Sequence, residues 1–68
     1  IMISTFICEE THSTSLKVRR DEHHLVLTMD GAFVDSVELN LGLEEVHSLI
    51  GHLLKIQKEI REGGQNGN

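Results

Sequence analysis

Five histidines in a chain of 68 residues are the side chains with the widest capacity for chemistry. His23 and His24 are adjacent, so on a strand they point to opposite faces and cannot hold one ion together without a bend. His47 and His52 are five residues apart, whereas two ligands on one helical face need a spacing of three or four. We therefore expect surface or hinge histidines. Metal or small-ligand binding, or a pH switch at a subunit interface, is the alternative.

One spacing in the chain is known from metal proteins. Glu44 and His47 have the Glu-x-x-His separation of carboxylate-bridged metal bundles, but that chemistry needs a second copy of the motif and further carboxylates from neighbouring helices. The sequence holds one copy, and a single cysteine cannot complete a zinc site of the usual kind. It therefore predicts no bound metal and no cofactor.

Cys8, with His12 close by in the sequence, has the residue types of a nucleophilic dyad. The adjacent carboxylates of Glu9 and Glu10 are expected to raise the thiol pKa and so weaken the nucleophile. A chain this short also has little room for both a core and a substrate pocket, and it contains no glycine-rich phosphate loop or serine-hydrolase motif. We interpret Cys8 as a small buried hydrophobe and the protein as a non-enzyme.

The one basic cluster before the C-terminal segment consists of Lys17, Arg19 and Arg20. On a strand Lys17 and Arg19 share a face and could contact phosphates, but there is no Trp or Tyr to stack on bases. Ion pairs explain the cluster equally well, so nucleic acid is not the expected partner. The acidic residues available for such pairs are Asp21, Glu22 and Glu38.

Length and charge limit the remaining classes. A 68-residue chain forms one domain with a marginal core, and its lone cysteine cannot form an internal disulfide, which makes oligomerisation the simplest additional source of stability. The free thiol and the lack of a long apolar run or signal-like segment favour an unexported, cytoplasmic protein. The formal net charge of −5 either attracts a partner with a basic patch, such as a nucleic-acid-binding protein, or serves ordinary solubility.

The segment Leu43 to Ile60 has the spacing of a long amphipathic helix. Asn40 or Gly42 could cap it, acidic residues occupy its first turn, and Gly63 should end it. The apolar stripe is wider than one narrow sheet face is expected to cover, and Gly51 in mid-helix is unfavourable unless another backbone passes closely. We therefore predict a dimer interface on this helix. Its candidate residues are Val46, Leu49, Ile50, Gly51, Leu53 and Leu54.

Upstream of the helix, apolar and polar residues alternate as in strands. The predicted strands cover residues 1–8, 14–20, 24–29 and 32–39, the first of them apolar on both sides and therefore either central in its sheet or placed with one face on the helix and the other against a partner. Asp30-Gly31 is a strong hairpin signal. A three-residue loop with Gly31 in a left-handed bulge would pair Leu27 with Phe33 and place Asp35 on the apolar face.

The sequence thus predicts a single α+β domain over residues 1–62, with an antiparallel sheet of three to four strands followed by one C-terminal amphipathic helix packed on the sheet, and a disordered tail over 63–68. The layout is similar to that of small accessory proteins of phages and bacteria, an analogy of layout alone. For function we expect a homodimeric protein-interaction module, joined by helices or edge strands, that regulates or inhibits a larger protein. The alternative is a His-rich metal or small-ligand binder.

Overall fold

The predicted strands and helix are present in the computed structural model. It describes residues 2–63, except that Val34 is described by its backbone alone. The elements are β1 (Ile3–Ile7), β2 (Ser15–Arg20), β3 (Leu25–Gly31), β4 (Val34–Leu41) and α1 (Leu43–Arg61). The strands form one antiparallel sheet in the order β1-β2-β3-β4. The predicted α+β arrangement of a four-stranded sheet and one C-terminal helix is confirmed.

One face of this sheet is apolar across all four strands. Residues paired across an antiparallel ladder lie on the same face, and here the pairs Phe6–Leu16, Leu16–Met29 and Met29–Val37 form a continuous row. A second row joins Val18, Leu27 and Leu39, and a third contains Leu25 and Leu41. The alternating pattern of every strand contributes to a single apolar surface.

The opposite face of the sheet is mainly polar in β2, β3 and β4, carries Ile3 and Ile7 in β1, and has two cross-strand ion pairs. Arg19 Nη2 lies 3.0 Å from Glu38 Oε2, and Lys17 Nζ lies 3.7 Å from Asp30 Oδ2. Val26 is on this face, between Arg19 and Asn40 in register, and with 1 % of its surface exposed it is the one buried hydrophobic residue in the described range. The core of a single copy is therefore very small.

The β3–β4 hairpin differs from its predicted register. Gly31 pairs with Val34, so the turn residues are Ala32 and Phe33, and Asp30 stays within β3. Its carboxylate accepts a hydrogen bond from the Ser36 hydroxyl and faces Lys17 on β2, contacts that hold it in the sheet. The predicted three-residue loop was wrong.

The observed register changes the surroundings predicted for Leu27, Phe33, Gly31 and Asp35. Leu27 pairs with Leu39, and Phe33 is 95 % exposed at the turn. Gly31 does not adopt the left-handed conformation, since the described glycine with positive φ is Gly63. The pairing has a β-bulge between Met29 and Gly31, where two residues of β4, Asp35 and Ser36, lie opposite one residue of β3. Asp35 is the extra residue, and it is exposed.

β1 lies at the edge of the sheet and pairs only with β2 among the described strands. Of the two alternatives predicted for this strand, the central position was therefore wrong, and the position with one face on the helix and the other against a partner remains a prediction. Ile3 and Ile7 are exposed on one side and Phe6 on the other. An edge strand with both sides apolar is unusual, because exposed edges generally carry charge or proline.

The helix begins directly after the last strand. Gly42 is the single residue between β4 and α1 and serves as N-cap with extended backbone (φ −81°, ψ −178°), and no described side chain caps the first turn. Glu44 and Glu45 lie in the first turn and basic residues in the last, as the helix dipole favours. Gly63, at φ +76°, ends the helix and donates its N–H to Ile60 O. The predicted disordered tail, residues 63–68, lies outside the described residues except for Gly63.

The helix contacts the sheet mainly along β4. The radius of gyration is 14.3 Å, against about 11 Å for a compact chain of this length, and the extents are 40 × 32 × 19 Å. In the described range no residue of α1 is buried. The single chain is therefore an open arrangement of a sheet and a projecting helix.

Candidate interaction surfaces

The first candidate surface is the apolar sheet face, hereafter the sheet surface. In the row most distant from the start of α1, Met29 is 53 % exposed and Val37 is 64 % exposed. This surface was not predicted from the sequence, because the continuity of the apolar face depends on the register between strands. The residues of the sheet surface are Phe6, Leu16, Val18, Leu25, Leu27, Met29, Val37, Leu39 and Leu41.

The second surface is the apolar side of α1, hereafter the helix stripe. Val46 and Leu49 are half-buried near β4, whereas the described helix is exposed at every position from Ile50 onward. The helix therefore leaves the sheet after its second turn and carries a long apolar side into solvent. The residues of the helix stripe are Leu43, Val46, Leu49, Ile50, Leu53, Leu54, Ile56 and Ile60.

Five of the six predicted interface residues belong to this stripe, whereas Gly51 lies outside it, about 60° around the helix from Leu54. At 100° per residue, Gly51 lies on the opposite side of the helix from Leu53 and Ile60. A Cβ added to Gly51 would meet nothing within 4 Å in the single chain. The interface prediction for Gly51 therefore depends on a second molecule approaching that side.

The two surfaces leave the chain with more accessible area than a compact protein of its mass. The accessible surface is 6027 Å², whereas about 4,300 Å² is usual for a folded monomer of 7.6 kDa. The difference is about 1,700 Å² for each chain. A specific interface buries roughly 600–1,000 Å² on each partner, so the excess is enough for a large one.

A shallow groove joins the two surfaces at the end of the sheet where α1 begins. Leu25 and Leu41 form its floor, Leu43 and Val46 form its helical side, and residues 20–24 of the β2–β3 turn form its rim. The turn is closed by a hydrogen bond from Asp21 N to His24 O. The groove links the sheet surface with the helix stripe through unbroken apolar residues.

Acidic side chains cluster at the same end of the molecule. The β2–β3 turn carries Asp21 and Glu22, and the first helical turn carries Glu44 and Glu45, all exposed. Two of the basic side chains on β2, in contrast, are matched by carboxylates on the polar face. Of the three carboxylates expected to pair with the basic cluster, Glu38 does so, with Arg19, while Lys17 pairs with Asp30, which was not among them.

The five histidines are exposed and distributed over the turns and the helix. Among the described residues, no three His, Cys, Asp or Glu side chains lie close enough together to hold a metal ion. Glu44 and His47 have no further ligands of these types in that part of the chain. The geometry gives the metal-binding alternative no site within one copy.

Cys8 differs from its predicted state in two respects. Its side chain is half-exposed, not buried. Its thiol pKa is lowered, because the backbone and the side chain of Thr11 and the backbone of Glu10 hydrogen-bond to the sulfur and outweigh the opposing effects of partial desolvation and of the Glu9 carboxylate. The Thr11 N–H donates to Sγ at 3.4 Å. The predicted net rise of the thiol pKa was therefore wrong, although the Glu9 carboxylate does act in the predicted direction.

Within residues 2–63, no helix has the length and apolar character needed to cross a membrane. Searches against protein-family models, curated proteins and solved structures found no match for this chain.

Proposed function

We propose that this protein is a homodimeric, non-enzymatic protein-interaction module that regulates or inhibits a larger partner protein. The observation that carries the proposal is the simultaneous exposure of the sheet surface and the helix stripe in a chain whose described residues bury one hydrophobic side chain, Val26. Burial of apolar surface is the main favourable term in folding, so a single copy with so small a core has little to offset its conformational entropy.

A second copy of the chain is the occupant that the area argument favours. If each copy removes about 1,700 Å² from water, the dimer buries about 3,400 Å² in total, within the range of obligate dimers. Such interfaces are apolar and resemble a divided domain core. The two surfaces have this composition, and no disulfide or described metal cluster supplies stability in their place.

The charge distribution supports a basic segment on the larger partner. The net charge is −5, and the acidic residues of the β2–β3 turn and the first helical turn lie together at one end of the sheet. Complementary charge accelerates association and favours the matching partner, with an effect that salt weakens. The acidic end remains accessible when the apolar surfaces are covered.

The experiment that tests the dimer is light scattering after size exclusion over a range of protein concentrations. The expected mass is twice the 7.6 kDa of one chain. Ile50→Lys and Leu54→Lys each place a charge on the exposed part of the helix stripe, where an unpaired charge in an apolar interface is costly. Because a single copy has a very small core, each is expected to weaken the dimer and the fold together, so that the dimeric mass and the folded signal appear only at higher protein concentration.

The control is Ser48→Lys, which adds the same charge to an exposed position of α1 outside the helix stripe. It should remain dimeric. A wild-type chain that is monomeric and cooperatively folded at all concentrations would contradict the proposal. If Ile50→Lys and Leu54→Lys were both as dimeric and as stable as Ser48→Lys, the interface assignment would fail at these positions.

A further inference from the structure

We infer that the dimer is formed by reciprocal exchange, with α1 of each copy lying across the sheet surface of the other copy. This inference rests on the proposed homodimer and specifies which surfaces meet. The other arrangements are helix against helix, sheet face against sheet face, and the joining of edge strands.

The connection between β4 and α1 prevents the helix from covering its own sheet well. Packed layers of secondary structure lie about 10 Å apart. Gly42 is the single residue between Leu41 and Leu43, so the Cα atoms of these two residues lie at most about 7 Å apart. The chain therefore cannot rise by a full layer and turn back over the sheet within this connection. In the structure, β4 is the strand that α1 mainly contacts, and no described residue of α1 is buried.

The dimensions of the two exposed regions match. The exposed part of the helix stripe, residues 50–60, is about 16 Å long at 1.5 Å per residue. Four strands spaced by about 4.8 Å place the two outer strands about 14 Å apart. A helix laid across the strands would thus contact the row of Phe6, Leu16, Met29 and Val37 along most of its length.

Reciprocal exchange covers both surfaces with a single type of contact. A helix-against-helix dimer leaves the sheet surface in water, and a sheet-against-sheet dimer leaves the helix stripe there. A two-fold arrangement uses each contact twice, so each copy contributes one stripe and receives one. This arrangement accounts for the position of the half-buried stripe residues, since Val46 and Leu49 lie near the copy's own β4 while every stripe residue from Ile50 onward is exposed.

The test cross-links two single-cysteine variants of the chain with a short bifunctional maleimide. Both variants carry Cys8→Ser, which removes the native thiol. One also carries Met29→Cys on the sheet surface, and the other Leu53→Cys on the helix stripe. The two are mixed in equal amounts, unfolded and refolded together, cross-linked, and analysed by mass spectrometry, which separates the three possible covalent dimers because Met and Leu differ in mass.

The expected result is the mixed product, which joins position 29 of one copy to position 53 of the other. The two products that join identical chains should not form. Dominance of the 53–53 product would establish helix against helix, and dominance of the 29–29 product would establish sheet against sheet. Either result, or a dimeric mass without any cross-linked product, would overturn the exchange while leaving the homodimer intact.

A monomeric mass for wild type would instead overturn the homodimer itself, so the two failures are distinguishable. Circular dichroism of each single-cysteine variant checks that it retains the wild-type fold. A second pair, Val37→Cys with Ile56→Cys, joins the same two surfaces and is used if either variant of the first pair unfolds.

Discussion

Two valines on opposite faces of the sheet provide a quantitative test of whether the sheet surface is covered in solution. Val26 is 1 % exposed and Val37 is 64 % exposed in the single chain. Val26→Ala removes two buried methyl groups, worth about 1.6 kcal/mol in transfer free energy, and with the resulting cavity should cost about 2–3 kcal/mol. For Val37→Ala, an open sheet surface predicts a cost of only about 0.5 kcal/mol, because about a third of the side chain is out of water.

A covered sheet surface predicts a different result. If the second copy buries Val37 as fully as Val26 is buried, both substitutions should destabilise the protein by about 2 kcal/mol. The assay is urea unfolding followed by circular dichroism at one fixed protein concentration, because the stability of a dimer depends on concentration. Thr5→Ala is the control, since Thr5 is exposed on the polar face and the change removes a β-branched residue in the same way.

The outcome that would refute the reasoning is a Val37→Ala variant that lies within about 0.5 kcal/mol of wild type, after subtraction of the Thr5→Ala effect, while Val26→Ala loses 2 kcal/mol or more. That pattern would mean that the sheet surface stays in water, and the homodimer through this surface would have to be abandoned.

Four further predictions use other parts of the molecule. Gly51→Ala should raise stability by about 1 kcal/mol in thermal unfolding, because the site is open and glycine is unfavourable in a helix; a loss would show that a second backbone approaches there. Arg19→Met should cost less than about 1 kcal/mol at low salt and nothing measurable at high salt, since its pair with Glu38 is exposed; a larger loss would contradict this. Zinc, nickel or iron should leave the melting temperature unchanged, and a metal-dependent rise would revive the His-rich binder. The lowered pKa of Cys8 predicts that iodoacetamide alkylation has its pH midpoint lower in the folded protein than in the urea-unfolded chain, and that Thr11→Val raises the folded midpoint; equal midpoints would remove the role of the Thr11 hydrogen bonds.

The elements of the fold could be predicted because local pattern dominates them. Leu16 and Val18 alternate with Lys17 and Arg19, and the structure places the two sets on opposite faces of β2. Leu43 begins the helix as predicted, since the acidic first turn and the helical spacing agree there. Such signals lie within a few residues of the features they specify.

The features that were missed depend on residues distant in sequence. Asp30 has the local signature of a turn, but Lys17 on β2 and Ser36 on β4 retain it in the sheet. The thiol of Cys8 was judged from its charged neighbours, whereas the turn brings the N–H of Thr11 onto its sulfur. The helix stripe was visible from spacing alone, while the sheet surface became apparent only once the register was known.

The position of β1 at the sheet edge has a consequence for the behaviour of the protein at high concentration. Its five residues, Ile3–Ile7, contain no charge and no proline, and one row of their backbone N–H and C=O groups has no strand partner among the described residues. A bare apolar edge of this kind is a template on which strands of other molecules add, and continued addition produces fibrils. We expect a lysine at Thr5 to lengthen the time before turbidity or fibril-dye fluorescence develops, because like charges then repel each incoming strand.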